Sequence, residues 1–271
     1  MPLHSPRPFA PGSYRYPGEH LILLITLTLV LAVIAVTSAA TICGSALFVA
    51  LMLVLAYGST RAQHQQLMAR AYRVTPQSAA GLWALVQAGA ARLGPGPVEV
   101  YVVPSRVLNA YTFGLGSPKI VVLDSALLQV LDADELAFVV SHELGHVRLG
   151  HTWLNSLVGG LSGIPSPAAA FGLMQLAFLW WNRACEYSAD RAGLLATGKP
   201  DKAISALVKI AAGGRARSPA EVQRALQVVE AQGQDFATQL GEALATHPLM
   251  ARRIAELRKY AASAEYRRLA S

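Results

Sequence analysis

His142 and His146 stand four residues apart in the run His142-Glu143-Leu144-Gly145-His146. On a helix, residues i and i+4 share one face, so both imidazoles can reach a single zinc ion at about 2.0–2.1 Å. Glu143 is rotated off that axis, where its carboxylate can take a proton from a water held at the metal. The same positions interleave with Leu136, Val139, Val140, Leu144 and Val147, whose 3.6-residue period predicts an amphipathic helix with a buried face. Hydrolysis by metal-activated water is the chemistry that this spacing serves.

A catalytic zinc takes three protein ligands and keeps a fourth position open. If the third were a histidine ten residues after the first, with a glycine at the seventh, those positions would be 152 and 149; Thr152 and Leu149 occupy them, and His151 and Gly150 each miss by one. The alternative is a carboxylate from a second helix. Glu186-Tyr187-Ser188-Ala189-Asp190 places two acids at i and i+4. Glu186 would ligate, and Asp190 would accept a hydrogen bond from the other nitrogen of a ligating histidine and so fix its tautomer. His151 is read as an interfacial or structural histidine, whose replacement by alanine is expected barely to alter metal binding.

The elements that must position these residues are legible in outline. Asp132 and Glu135 have capping-box spacing at the start of the His142 helix, and Gly150 stops it. Upstream, Thr75-Pro76 predicts an N-cap with proline at the first helical position, Leu82, Leu85, Val86 and Leu93 on one face, and Gly94 as the stop. Three β-rich runs, 98–103, 110–113 and 119–123, are separated by Pro104-Ser105 and by Gly114-Leu115-Gly116-Ser117-Pro118. They predict a small, largely antiparallel sheet of about three strands. Pro200, Ser218-Pro219 and His247-Pro248 mark later helix starts, so the fold class is α+β and mostly helical.

Residues 21–59 carry no charge. At about 1.5 Å per residue, one helix of that length would far exceed a hydrocarbon core of about 30 Å, so two transmembrane helices are expected, at 21–36 and 42–57. A cleaved signal peptide ending at Ser38-Ala39-Ala40 is the competing reading, and the second apolar run that follows at once argues against it. Arg7 and Arg15 precede the pair and Arg61, Arg70 and Arg73 follow it, whereas the turn at 37–41 has no cation, which places both ends in the cytoplasm. Residues 152–182 are again charge-free but broken by Gly159-Gly160, Gly163, Pro165 and Pro167. Because metal ligands flank this segment on both sides, it cannot cross the membrane an odd number of times. A re-entrant or interfacial hairpin is expected, or else a buried helical hairpin of the soluble domain. The resulting organisation is an N-terminal tail (1–20), the apolar pair (21–57) and a metallopeptidase domain (58–271).

The formal net charge of +7 comes from scattered Lys and Arg, with no basic run and no aromatic-interleaved stripe, so nucleic acid is not an expected partner. Cys43 and Cys185 lie far apart in apolar and helical contexts and read as buried thiols rather than a disulfide.

Taken in order, the motifs resemble the membrane zinc metallopeptidases of the HtpX and CaaX prenyl protease type. Asn109-Ala110-Tyr111-Thr112-Phe113-Gly114 is similar to that family's Asn-Ala strand, residues 135–146 to its zinc helix, and 186–193 to its Glu-x-x-x-Asp segment. Thr246-His247-Pro248, with Arg253, Ile254 and Leu257, is similar to its C-terminal His-Pro motif. The resemblance covers about 75–257 and implies a gluzincin-like domain with one Zn2+ per chain. It further implies a polypeptide substrate paired as an added strand beside 110–113, and His247 stabilising the oxyanion. The chain departs from close HtpX-type relatives in the short, proline-broken segment between the zinc-binding helices, where they carry two full spans. The function so implied is membrane-protein quality control or regulated proteolysis at a bacterial cytoplasmic membrane. The alternative is a zinc-bound, catalytically silent membrane adaptor. A redox or storage metal protein would need Cys-rich or His-rich tracts, and the sequence has none.

Overall fold

The computed structural model describes residues 8–40, 44–114, 116–158, 172–232 and 250–270. Its strands are β1 (Tyr72–Arg73), β2 (Val98–Val103), β3 (Ala110–Phe113) and β4 (Lys119–Asp124), in one sheet of order β1-β2-β4-β3. The three expected runs are all strands, but the sheet is mixed and four-stranded rather than largely antiparallel and three-stranded. Strands β2 and β4 pair in parallel, Val98 opposite Lys119, while β3 folds back antiparallel on β4 with Ala110 opposite Leu123. The reason lies in β4, whose Val121, Val122 and Leu123 are fully buried. A strand apolar on both faces belongs between two neighbours, so β4 enters the sheet interior and pushes the shorter β3 to an edge. Strand β1, exposed and two residues long, is too short to leave a periodic signal.

The helices are α1 (Glu19–Ala40), α2 (Gly44–Met68), α3 (Ala80–Leu93), α4 (Ser125–Val130), α5 (Ala133–Leu149), α6 (His151–Val158), α7 (Gly172–Thr197), α8 (Pro200–Ala211), α9 (Pro219–Gln232), α10 (Met250–Ala261) and α11 (Ala264–Ala270). Helix α5 runs through the core and begins with the expected capping box: Asp132 accepts from the Asp134 and Glu135 amides, and Glu135 accepts from the Asp132 amide. Glu135 is itself buried and also meets Lys209 Nζ at 2.7 Å and Ser205 Oγ at 2.6 Å, so the cap locks α5 to α8. Gly150 ends α5 at φ 82°, a conformation that costs a glycine little.

Helix α3 corrects the expected start at Thr75-Pro76. Thr75 and Ser78 close a turn on each other's backbone amides, at 3.0 and 2.9 Å, and the helix begins only at Ala80. The polar side chains satisfy a local turn before a helix can start. Gly94 does end the helix, at φ 62°.

Among the described residues, one helix is long and apolar enough to cross a membrane, the segment Glu19–Ala39. Leu21, Leu24, Leu29, Leu31, Val33 and Val36 on it are exposed. A second span is not shown: the apolar part of α2, Ala46–Leu55, is shorter, and the helix continues onto the sheet. There His64 stacks on Phe113 with ring centroids 4.0 Å apart, and Met68 packs on Val103, Tyr111 and Val122. Within the apolar segment 152–182, α6 and the first turns of α7 are helical, and residues 159–171 between them lie outside the described residues, as does Cys43. Residues 9–16 pack on the domain: Tyr14 is fully buried, and the Phe9 amide donates to the Arg92 carbonyl at 2.8 Å.

Candidate active site

Helices α5 and α7 carry the converging side chains. His142, Glu143 and His146 are all buried, and the two Nε2 atoms lie 3.2 Å apart. From α7, Glu186 brings Oε1 to 3.4 Å from His146 Nε2 and Oε2 to 3.7 Å from His142 Nε2. A glutamate reaches this far because the two backbones touch. A Cβ on Gly145 would stand 2.6 Å from Ala192 Cβ, and one on Gly193 would stand 3.0 Å from the Phe138 carbonyl oxygen. The small residues of both helices thus set the depth at which the carboxylate enters.

Donors held about 2.0–2.2 Å from a tetrahedral cation lie about 3.3–3.6 Å from one another. The imidazole nitrogens lie 3.2 Å apart and each has a different oxygen of Glu186 at 3.4 or 3.7 Å, separations compatible with that arrangement, and two imidazoles with one carboxylate are a donor set that zinc takes. All three open on a cleft of about 260 Å3, which Glu143 also lines. Its remaining walls include Asn109, Ala110, Phe138, Leu207, Ile210 and Met250.

Two buried charges surround these side chains. Asp190 Oδ1 is 3.0 Å from His142 Nδ1, so an N–H there would donate to the carboxylate. Arg253, from α10, forks onto Asp190 through Nε at 2.8 Å and Nη2 at 2.6 Å, and sets Nη1 3.0 Å from Glu186 Oε2. Burial alone would raise both carboxyls, but the Arg253 guanidinium and the histidines outweigh it. They hold Asp190 below, and Glu186 well below, the usual carboxylate range. Glu143 differs, because burial there prevails over the nearby imidazoles and its carboxyl is raised.

The structure therefore brings His142, Glu143, His146, Glu186 and Asp190 together. Of the strand residues, Asn109 and Ala110 border the cleft, whereas Tyr111 and Thr112 are buried in the domain and Phe113 stacks on His64. His247 lies outside the described residues. Sequence reasoning assigned no role to Arg253; the signal was a cation beside Ile254 and four residues before Leu257, on what proves a buried helix face. His151, read as an interfacial or structural histidine, is buried with Nδ1 2.9 Å from His146 Nδ1 and Nε2 3.2 Å from Glu19 Oε1, contacts that no spacing in the chain foretold.

Comparison with known proteins places the chain in a family. Residues 76–261 match Peptidase family M48. A "Protease HtpX homolog" of Moorella thermoacetica is 31% identical over 264 residues, covering 83% of this chain and 86% of that protein. One of Pyrococcus abyssi is 31% identical over 228 residues, covering 69% of this chain and 76% of its own. The "Plastoglobule-localized metallopeptidase 48, chloroplastic" of Arabidopsis thaliana is 36% identical over 125 residues, a stretch spanning 42% of this chain but only 35% of that protein. With residues 76–261 matched, most of its length, the chain belongs to peptidase family M48.

Proposed function

We propose that this chain is a membrane-anchored, zinc-dependent endopeptidase in which His142, His146 and Glu186 hold the metal and Glu143 is the general base. The observation that supports it most is the convergence of two imidazole nitrogens and one carboxylate, at 3.2–3.7 Å from one another, on the cleft that Glu143 also lines. Bound there, zinc would supply a Lewis acid that polarises a peptide carbonyl and makes water acidic near neutral pH. Glu143 takes the proton of the attacking water on a carboxylate oxygen and passes it to the departing amine nitrogen. Asp190, gripped by Arg253, accepts the His142 Nδ1 proton and leaves Nε2 to face the metal.

The substrate is a polypeptide, in keeping with relatives named proteases. Strand β3 is an edge of the sheet and its first residues border the cleft, so an extended substrate added beside 110–113 would reach the metal. Because Tyr111, Thr112 and Phe113 pack elsewhere, that pairing rests on backbone hydrogen bonds. His247 is assigned to the oxyanion by the family resemblance alone. The exposed apolar face of α1 fits a lipid bilayer, with α2 as a second span, the catalytic domain in the cytoplasm, and membrane proteins as substrates.

Glu143→Gln tests the central role. Its amide keeps the shape of the side chain but cannot accept a proton at neutral pH. Zinc content should stay near the wild-type level while cleavage of a model substrate such as casein falls by at least ~10²-fold. Near-wild-type cleavage would remove Glu143 as the base, and loss of zinc as complete as in His142→Ala would make it a ligand instead.

A further inference from the structure

The two metal-facing histidines have different supports. His142 rests on a carboxylate from α7, whereas His146 rests on a chain of contacts leading out of the catalytic domain. His146 Nδ1 lies 2.9 Å from His151 Nδ1, His151 Nε2 lies 3.2 Å from Glu19 Oε1, and Glu19 is paired with Arg15 and bonded by the Ser188 hydroxyl. Glu19, His146, His151 and Ser188 are at most 2% exposed. Glu19 is also the first residue of the apolar helix α1.

Only one proton arrangement satisfies every contact once His146 presents Nε2 to a cation. Its Nδ1 then carries the hydrogen and donates, so His151 Nδ1 must accept. His151 keeps its single proton on Nε2, which donates to Glu19. The carboxylate takes its remaining bonds from Arg15 and Ser188, and no group in the chain is left unmatched. Arg15 also donates to the Leu149 carbonyl at 3.3 Å, in the last turn of α5, so one N-terminal segment grips both the histidine chain and the end of the metal-binding helix.

Resting on the metal-centre reading above, we propose that Glu19, acting through His151, is a positioning residue for His146, so that the foot of α1 is wired to the metal site. Cys185 stands close enough to Glu19 and His151 for the three to suggest a second cation site. The Arg15 guanidinium already occupies the carboxylate, and burial raises the Cys185 thiol well above its ordinary value, which disfavours the thiolate a metal needs. The relay uses the same atoms without a second ion.

The test uses the full-length chain in detergent, with zinc affinity measured by competition against a chromophoric chelator and the ligand field read from the visible spectrum of bound Co2+. His151→Leu and Glu19→Leu should each weaken zinc binding about 10–100-fold and alter the Co2+ spectrum. His151→Asn, which restores an acceptor for the His146 Nδ1 proton, should recover most of the affinity. The double Leu variant should be no weaker than His151→Leu alone, because both changes break one path. Affinity within about two-fold of wild type and an unchanged Co2+ spectrum in both His151→Leu and His151→Asn would overturn the proposal. So would additive losses in the double variant, or a second zinc ion that disappears in Cys185→Ala. A wild-type chain that binds neither zinc nor Co2+ would sink the metal-centre reading first, and this proposal with it.

Discussion

Taking away the Arg253 guanidinium would leave Glu186 and Asp190 buried without their shared cation, and an unpaired buried charge costs about 3–5 kcal/mol. Arg253→Met should therefore lower the thermal unfolding temperature of the chelator-treated protein, and Arg253→Lys should do so less, since it keeps the charge but loses the fork. Zinc should restore more of the loss in Arg253→Met than it adds to wild type, because the metal takes over part of the neutralisation. The pH dependence follows from the depressed carboxyls. Groups held below their unfolded values contribute stability that is complete above the ordinary carboxylate range, near pH 4, and is lost as pH falls towards the folded values. Without metal, the gap between wild type and Arg253→Met should be widest at neutral pH and shrink below about pH 4. A gap independent of pH would mean that Arg253 acts by packing alone. At the same site, Asp190→Ala should lower zinc affinity by about 10–100-fold while Glu186→Ala, which removes a proposed ligand, should lower it further.

Between elements, the decisive contact is the crossing of α5 and α7. Gly145 and Ala192 leave no room for one more methyl, since the nearest carbon would be 2.6 Å away. Gly145→Val should push the helices apart and carry Glu186 away from the histidines. The expected result is an overpacking cost of about 1–3 kcal/mol, seen as a lower unfolding temperature, together with reduced zinc binding. Gly81→Ala in the first turn of α3 is the counterpart, because an added Cβ there meets nothing within 4 Å. It should be neutral or stabilising by up to about 1 kcal/mol, with zinc binding unchanged. Equal zinc affinity in Gly145→Val and wild type would show that the carboxylate does not depend on this close approach. The α5–α8 lock is a further element-scale device: the capping glutamate Glu135 pairs with Lys209, so a local helix start is also a tertiary contact.

At the scale of the whole molecule, a polar domain is joined to an apolar helix whose large side chains Leu24, Leu29, Leu31 and Val36 face outward. Arg15 stands just before that helix, and Arg61, Arg70 and Arg73 follow the apolar part of α2. If these cations lie on the cytoplasmic side, as the bias of Lys and Arg towards cytoplasmic loops predicts, then so does the catalytic domain. A cysteine at the exposed Ser218, in a chain with Cys43 and Cys185 replaced, should be labelled by an impermeant thiol reagent only after the cytoplasmic face is opened. Labelling from the outside of intact cells would reverse the orientation.

The sequence by itself determined what depends on neighbours along the chain. The i, i+4 spacing of His142 and His146, the Asp132 and Glu135 cap, the glycine stops at 94 and 150 and three of the four strand segments are local patterns, and each stands in the structure. Where a local pattern failed, another local interaction had won, as when Thr75 and Ser78 closed a turn ahead of α3. Tertiary structure alone decided the rest. The order of the strands followed from which of them could be buried on both faces, a property of the assembled layers. Arg253 reached Glu186 across a sequence separation of 67, and Glu19 reached His151 across one of 132, because helix packing set those distances and no periodicity in the chain encodes them. The types and spacing of the candidate ligands are written in the chain; the charged partners set against them are written only in the packing.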